Sequence, residues 1–86
     1  MKLKYNFETM ELDDRVVAVP VGDGAQEFRG VVKLNESAAE IFNLLKDETT
    51  EEAVVAKLKK SYGDDPEIVV FVQEMIEYLE SEGILE

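Results

Sequence analysis

The stretch VVKLNESAAEIFNLL, residues 31–45, contains the two patterns that decide the fold. Val31 to Leu34 have the β-branched and aliphatic composition that is enriched in strands. The residues that follow repeat their apolar side chains at helical spacing, which predicts one buried face. That face comprises Ala38, Ile41, Phe42 and Leu45. The stretch therefore predicts a strand that leads directly into an amphipathic helix.

Two helices are predicted from this junction onward. Asn35 or Ser37 can cap the first, and the spacing from Ser37 to Glu40 fits a capping box. The second begins at Thr49-Thr50-Glu51-Glu52, which has the same spacing, and Gly63 suits the position after its end. Its predicted buried stripe is Val54, Val55, Leu58 and Tyr62.

A third helix is predicted after Asp65, with Pro66 at its first position, where a proline loses no needed hydrogen bond. It extends to about Glu82, and Gly83 can end it. Ile84 and Leu85 then form an apolar tail that we expect to fold back onto the core.

The residues before Asn35 predict three strands. Alternating apolar side chains at Leu3, Tyr5 and Phe7 predict the first, and Asp13-Asp14 predicts a turn. Residues 15–19 predict the second, with Pro20 at a strand end or a sheet edge. The third covers residues 28–34, after a hairpin connection at residues 22–24.

The element order is therefore βββααα, which predicts an α+β fold with a three-stranded antiparallel sheet followed by three helices. Two short consecutive helices beside a small sheet also resemble a winged helix-turn-helix. With 86 residues and no internal repeat, residues 1–86 are expected to form a single domain.

The charge distribution argues against nucleic acid as a partner. The net charge is −11, and residues 61–86 carry eight acidic residues and no lysine or arginine. A recognition helix needs basic side chains to reach phosphates and bases, so a DNA-binding winged helix is the weaker interpretation.

No apolar run reaches the ~20 residues of a membrane span, and the chain contains no cysteine, so a cytoplasmic location without membrane contact is expected.

The composition also argues against catalysis. The chain has no histidine for proton transfer near neutral pH and no cysteine nucleophile. Its paired acidic residues fall at turns and at predicted helix starts, where carboxylates complement the helix dipole. We therefore expect no enzymatic activity, no cofactor and no metal site.

Two surfaces exceed the needs of a small core. The predicted third helix has an apolar arc near ~180°, wider than the stripe of a typical surface helix. Its central stripe comprises Ile68, Phe71, Val72, Met75 and Leu79, with Tyr78 on one margin and Val69 and Ile76 on the other. Val69 and Ile76 either belong to the core or line a groove. The third strand, if it is an edge, has open backbone groups. Arg29 and Lys33 then either guard that edge against aggregation or flank a site where a peptide adds as a further strand.

The segment Lys33-Leu34-Asn35-Glu36-Ser37-Ala38-Ala39-Glu40-Ile41-Phe42-Asn43-Leu44-Leu45 resembles the signature of the coenzyme PQQ synthesis protein D family. Thr50-Glu51-Glu52, Tyr62-Gly63-Asp64 and Glu82-Gly83-Ile84-Leu85 continue the resemblance over nearly the whole chain. Asn35 and Ala38 are its most diagnostic residues.

The resemblance implies a winged-helix-like peptide recognition element of the kind that serves ribosomally synthesised and modified peptides, in PQQ biosynthesis and in other natural-product systems. Such a domain binds a precursor's leader peptide beside its third strand and presents it, as a peptide chaperone, to a modifying enzyme, typically a radical S-adenosylmethionine protein. By position, the predicted strand contacts are Phe28, Arg29, Gly30, Val31, Val32 and Lys33, and the predicted helix contacts are Val69, Val72, Gln73 and Ile76. Leu34, Asn35 and Ala38 are assigned a structural role.

Two alternatives to leader binding remain open. An acidic winged-helix domain could dock on another protein, or its open third strand could pair with that of a second copy. The expected state is accordingly a monomer or a weak homodimer.

Overall fold

The computed structural model describes residues 1–22 and 30–86 and confirms the predicted βββααα order. The elements are β1 (Phe7–Leu12), β2 (Arg15–Pro20), β3 (Val32–Leu34), α1 (Glu36–Leu44), α2 (Glu51–Tyr62) and α3 (Glu67–Ser81). The predicted hairpin connection at residues 22–24 falls largely outside the described residues. So do Phe28 and Arg29, with which the predicted third strand begins.

The described sheet is antiparallel with the strand order β1-β2-β3, so β3 is one of its edges. Asp13 and Asp14 form the two-residue turn predicted between β1 and β2, which Leu12 and Arg15 close as partners. Asp13 adopts a positive φ of 56°. This conformation is uncommon for a residue with a side chain, and a two-residue hairpin requires it at its first central position.

The first strand begins later than the alternation of Leu3, Tyr5 and Phe7 predicts. Leu3 instead forms an isolated antiparallel bridge with Leu85, near the other end of the chain. The amide of Lys4 donates to the carbonyl of Ile84 at 2.9 Å, and the amide of Glu86 donates to the carbonyl of Lys2 at 2.8 Å. The period-2 pattern predicted one strand through Leu3, Tyr5 and Phe7, but the chain bends at Lys4 and Tyr5, and Leu3 pairs with Leu85 near the C-terminus instead.

Hydrogen bonds from backbone amides to side chains lie at the starts of all three helices. Asn35 Oδ1 accepts a hydrogen bond from the amide of Ala38 at 2.8 Å, and Thr50 Oγ1 accepts one from the amide of Ala53 at 3.1 Å. Before α3, Asp65 Oδ1 accepts from the amide of Glu67 at 2.9 Å. Each cap satisfies one of the amides that a helix start leaves without a partner.

The core lies between the inner face of the sheet and the three helices. Its fully buried members include Phe42, Ile41, Leu45, Leu79, Ile84, Val32, Val54 and Val72. The rings of Phe7 and Phe42 meet edge to face with centroids 5.1 Å apart, which joins β1 to α1. Ile84 and Leu85 are buried, as the prediction of a returning apolar tail required.

Tyr62 does not join the buried stripe predicted for α2. Its side chain is 52% exposed, whereas Val54 and Leu58 are buried and Val55 is half-buried. Tyr62 is the last residue of α2, so its position lies beyond the part of the helix that the core covers.

In the part of the chain that the structure describes, no helix has the length and apolar character to cross a membrane.

Candidate functional site

The direction of the backbone amides in the sheet follows from one hydrogen bond. The amide of Val21 donates to the carbonyl of Asn6 at 2.9 Å, so this pair is a hydrogen-bonded pair in the register that joins β1 to β2. In an antiparallel ladder such pairs alternate with pairs that exchange no bonds. Residues 15, 17 and 19 of β2 therefore bond to β1, and the residues between them face β3.

This alternation fixes which groups of β3 are free. Val16 pairs with Leu34, and Ala18 pairs with Val32, so these two residues of β3 direct their amide and carbonyl groups toward β2. Lys33 lies between them, and its amide and carbonyl point away from β2, toward an edge that no strand of the described residues covers. An edge of this kind can accept a further strand.

The shortness of β3 has a cause in Pro20. Continued by one more hydrogen-bonded pair, the register would place Pro20 opposite Gly30, and a proline has no N–H to donate there. The ladder accordingly stops at Val32, and Gly30 takes a φ of 136°. Gly30 and Val31, two of the predicted strand contacts, therefore precede β3.

The two faces of β3 differ strongly in burial. Val32 and Leu34 are 1% and 4% exposed and pack into the core. Val31 is 48% exposed, and Lys33 is exposed as well. Phe28 and Arg29 lie outside the described residues, so their predicted contact with a peptide stays a prediction.

The α3 residues predicted to line a groove differ in how much surface they offer. Val72 is fully buried and Ile76 is 7% exposed, so both pack into the core in this conformation. Val69 is half-buried and Gln73 is exposed. Their contact with a peptide stays a prediction, and Val69 and Gln73 are the two that present a surface for it.

A cleft of about 330 Å³ lies beside the junction of β3 and α1, and sequence reasoning did not find it. It is lined by Asn35, Ser37, Asp65, Glu67, Ile68 and Phe71. The helical pattern placed Ile68 and Phe71 in the central stripe of α3, but both are half-buried and form the apolar part of the cleft. At ~100° per residue, Phe71 lies about 160° around the axis of α3 from Val69, at the end of the stripe away from Val69.

Asn35 and Ala38 hold this junction together. The side chain of Asn35 accepts from the amide of Ala38, as above, and the amide of Ala39 donates to the carbonyl of Asn35 at 2.9 Å. Ala38 is 7% exposed and belongs to the core. The cap thus fixes the angle between the open edge of β3 and the first turn of α1.

Within residues 1–22 and 30–86, no polar or charged side chain is buried, and no cluster of His, Cys, Asp or Glu has a metal-binding arrangement. The groups around the edge and the cleft are therefore exposed side chains, open backbone and half-buried apolar surface. Such groups bind by shape, strand pairing and charge.

Comparison with known proteins identifies the family. The family model described as coenzyme PQQ synthesis protein D matches residues 12–85. The chain belongs to the coenzyme PQQ synthesis protein D family. The match includes β2, β3 and all three helices, and with them the edge and the cleft.

A solved structure has the same fold. It is that of TbiB1 in complex with the TbiA(beta) leader peptide, which superposes with a TM-score of 0.72 at 22% sequence identity. The alignment covers 100% of this chain and 95% of that one. No curated protein matches the sequence.

Proposed function

We propose that this member of the coenzyme PQQ synthesis protein D family binds the leader segment of a precursor peptide as a fourth strand beside β3. The observation that carries the proposal is the direction of the Lys33 backbone, whose amide and carbonyl face the open edge. The family supports this function, and the similar fold of TbiB1, a protein solved with a leader peptide, agrees with it.

In strand addition, the affinity for a peptide and the selectivity for its sequence have separate sources. Backbone hydrogen bonds contribute net about 0.5–1.5 kcal/mol each and are independent of sequence. Alternate side chains of the added strand point to opposite faces, and the set on the helix side reaches the apolar surfaces of α3. The choice of peptide sequence then depends on the half-buried residues there, either Val69 or the cleft residues Ile68 and Phe71.

The domain itself catalyses nothing in this proposal. It holds the leader so that the remainder of the precursor reaches a modifying enzyme, which the family resemblance suggests is a radical S-adenosylmethionine protein. The lack of histidine and cysteine in the chain fits a binding role and leaves the chemistry to that partner.

The test is a titration of ¹⁵N-labelled protein with synthetic leaders from short reading frames beside its gene. Saturable amide shifts are expected in residues 31–34 and along one margin of α3. A folded monomer that shows no shifts with any of these peptides would contradict leader binding and favour docking on a protein partner. Sedimentation at several concentrations separates both cases from a dimer formed through β3.

A further inference from the structure

The cleft beside the β3–α1 junction combines an apolar floor with an acidic rim. Ile68 and Phe71 supply half-buried apolar surface that packs against the core. Asp65 and Glu67 stand at the same cleft, at the start of α3, and both are exposed. No basic residue lines the cleft within the described chain.

Part of this negative charge is already engaged. Asp65 Oδ1 caps the amide of Glu67, and the partial positive charge of a helix N-terminus offsets some of it. The carboxylate of Glu67 has no hydrogen-bond or ion-pair partner among the residues that the structure describes. The carboxylates of Asp65 and Glu67 carry two negative charges, and the helix N-terminus offsets only about half an elementary charge, so the rim of the cleft stays negative.

The cleft begins where β3 ends. The strand ends at Leu34, and Asn35, the next residue, lines the cleft. A peptide strand that pairs with Lys33 and continues past the end of β3 advances ~3.3 Å per residue, so two or three residues bring it level with Asn35, which lines the cleft. One peptide can therefore occupy the edge and the cleft together.

We infer that this domain selects leaders that place an apolar side chain on Ile68 and Phe71 and a neighbouring lysine or arginine at the carboxylates of Asp65 and Glu67. The inference rests on the proposed function and adds the chemical class of the bound segment. The chain's net charge of −11 adds a long-range attraction for the same basic segment, which raises the association rate at low ionic strength.

The experiment selects binders from a phage library of random 12-residue peptides on wild-type protein, with counter-selection on Lys33→Pro. The counter-selection retains peptides that need the open edge of β3. Among them, lysine or arginine beside an aromatic or aliphatic residue is expected to be enriched. The strongest binder is then measured against Glu67→Lys, Glu67→Gln and the matched control Glu77→Lys, which reverses an exposed charge on α3 away from the cleft.

Reversal at Glu67 is expected to weaken this peptide about 3- to 10-fold, since exposed ion pairs are modest and reversal adds repulsion to lost attraction. Glu67→Gln should give a smaller loss, and Glu77→Lys should remain within about 2-fold of wild type. At ~0.5 M salt the difference between the two lysine variants should shrink, because screening shortens the range of charge interactions.

Two different results would overturn two different statements. Edge-dependent peptides without enriched basic residues, or equal losses with Glu67→Lys and Glu77→Lys, would contradict the inference and leave the proposed function standing. A library that yields no peptide sensitive to Lys33→Pro would contradict strand addition beside β3, and with it the inference.

Discussion

The amide of Val21 lies 2.9 Å from the carbonyl oxygen of Asn6, and this hydrogen bond determines the direction of every backbone group in the sheet. Because the register between β1 and β2 runs without a break from this pair to the turn, bonded and unbonded pairs alternate along it. Because the residues of β2 that do not bond to β1 bond to β3, Lys33 is left with its amide and carbonyl at the open edge.

At Lys33 on the open edge of β3, we expect proline to leave the fold intact but to weaken leader binding. Lys33→Pro should reduce leader binding at least ~10-fold, because it removes an outward amide and the ring blocks the edge, while the free energy of unfolding changes little. Lys33→Ala is the matched control, since it removes the charge and keeps the amide. Isothermal titration and urea unfolding measure the two effects. Equal binding by the proline and alanine variants would show that this amide makes no bond to the peptide.

Aspartate variants at Val69 and at Phe71 test which side of α3 contacts the leader. Val69→Asp should weaken leader binding if the margin predicted from the sequence forms the groove, and Phe71→Asp should do so if the cleft forms it. We expect the larger loss for Phe71→Asp, because Phe71 lies at the cleft beside Asn35, into which β3 leads. Peptide titration by fluorescence anisotropy measures both.

Leu79→Asp provides the stability reference for those variants. Leu79 is fully buried, so a carboxylate there should cost several kcal/mol and unfold the domain. Val69 and Phe71 are half-buried, so aspartate at either position should destabilise the fold less than Leu79→Asp does. Urea unfolding measures the three free energies. If Val69→Asp destabilises as much as Leu79→Asp does, Val69 is a core residue and lines no groove.

The turn between β1 and β2 predicts a stabilising substitution. Asp13 adopts a φ of 56°, where glycine avoids a steric cost of roughly 1 kcal/mol that other residues carry. Asp13→Gly should therefore raise the free energy of unfolding by up to ~0.5 kcal/mol, after roughly 0.5–1 kcal/mol for the greater entropy of glycine in the unfolded chain is subtracted. Asp14→Gly is the control and should destabilise, because Asp14 has no positive φ to relieve. Thermal unfolding of both variants distinguishes the two results.

The N-terminus of this chain predicts a pH dependence. The Met1 ammonium group donates to Glu48 Oε1 at 2.8 Å, and this hydrogen bond, aided by charge attraction, lowers the pKa of Glu48 below its ordinary value of 4.5. A lowered carboxyl pKa in the folded state contributes stability above the unfolded-state pKa, and this contribution is lost as the pH falls through the folded-state value.

Wild type should therefore exceed Glu48→Gln in stability at neutral pH, and the difference should shrink as the pH falls below about 4.5. Urea unfolding between pH 3 and pH 7 measures the difference. A difference that stays constant over this interval would mean that the carboxylate charge of Glu48 is not what stabilises the contact.

Local sequence patterns were sufficient for most of the fold. The caps at Asn35, Thr50 and Asp65 involve bonds to residues two or three positions along the chain, so residue type predicts the helix starts to within a residue or two. The capping-box spacing pointed to Ser37 and Thr49, whereas the N-caps are Asn35 and Thr50. The turn at Asp13-Asp14 and the return of Ile84 depend on equally local signals, two adjacent turn residues and an apolar tail after Gly83.

The candidate site could be predicted only in part. The open third strand follows from the chain order and from a strand that leads into a helix. The side of α3 beside that strand does not, because a helical wheel ranks residues by angle and carries no information about which neighbour covers which margin. Ile68 and Phe71 therefore appeared as core, and Val72, which is fully buried, appeared as groove.

The sequence by itself determined the element order, the helix caps, the turn and the identity of most core side chains, because each depends on residues a few positions apart. The tertiary structure decided the pairing of Leu3 with Leu85, the exposure of Tyr62 and the apolar cleft at Phe71. These features depend on contacts between segments distant in the chain, and such contacts exist only once the helices have packed on the sheet.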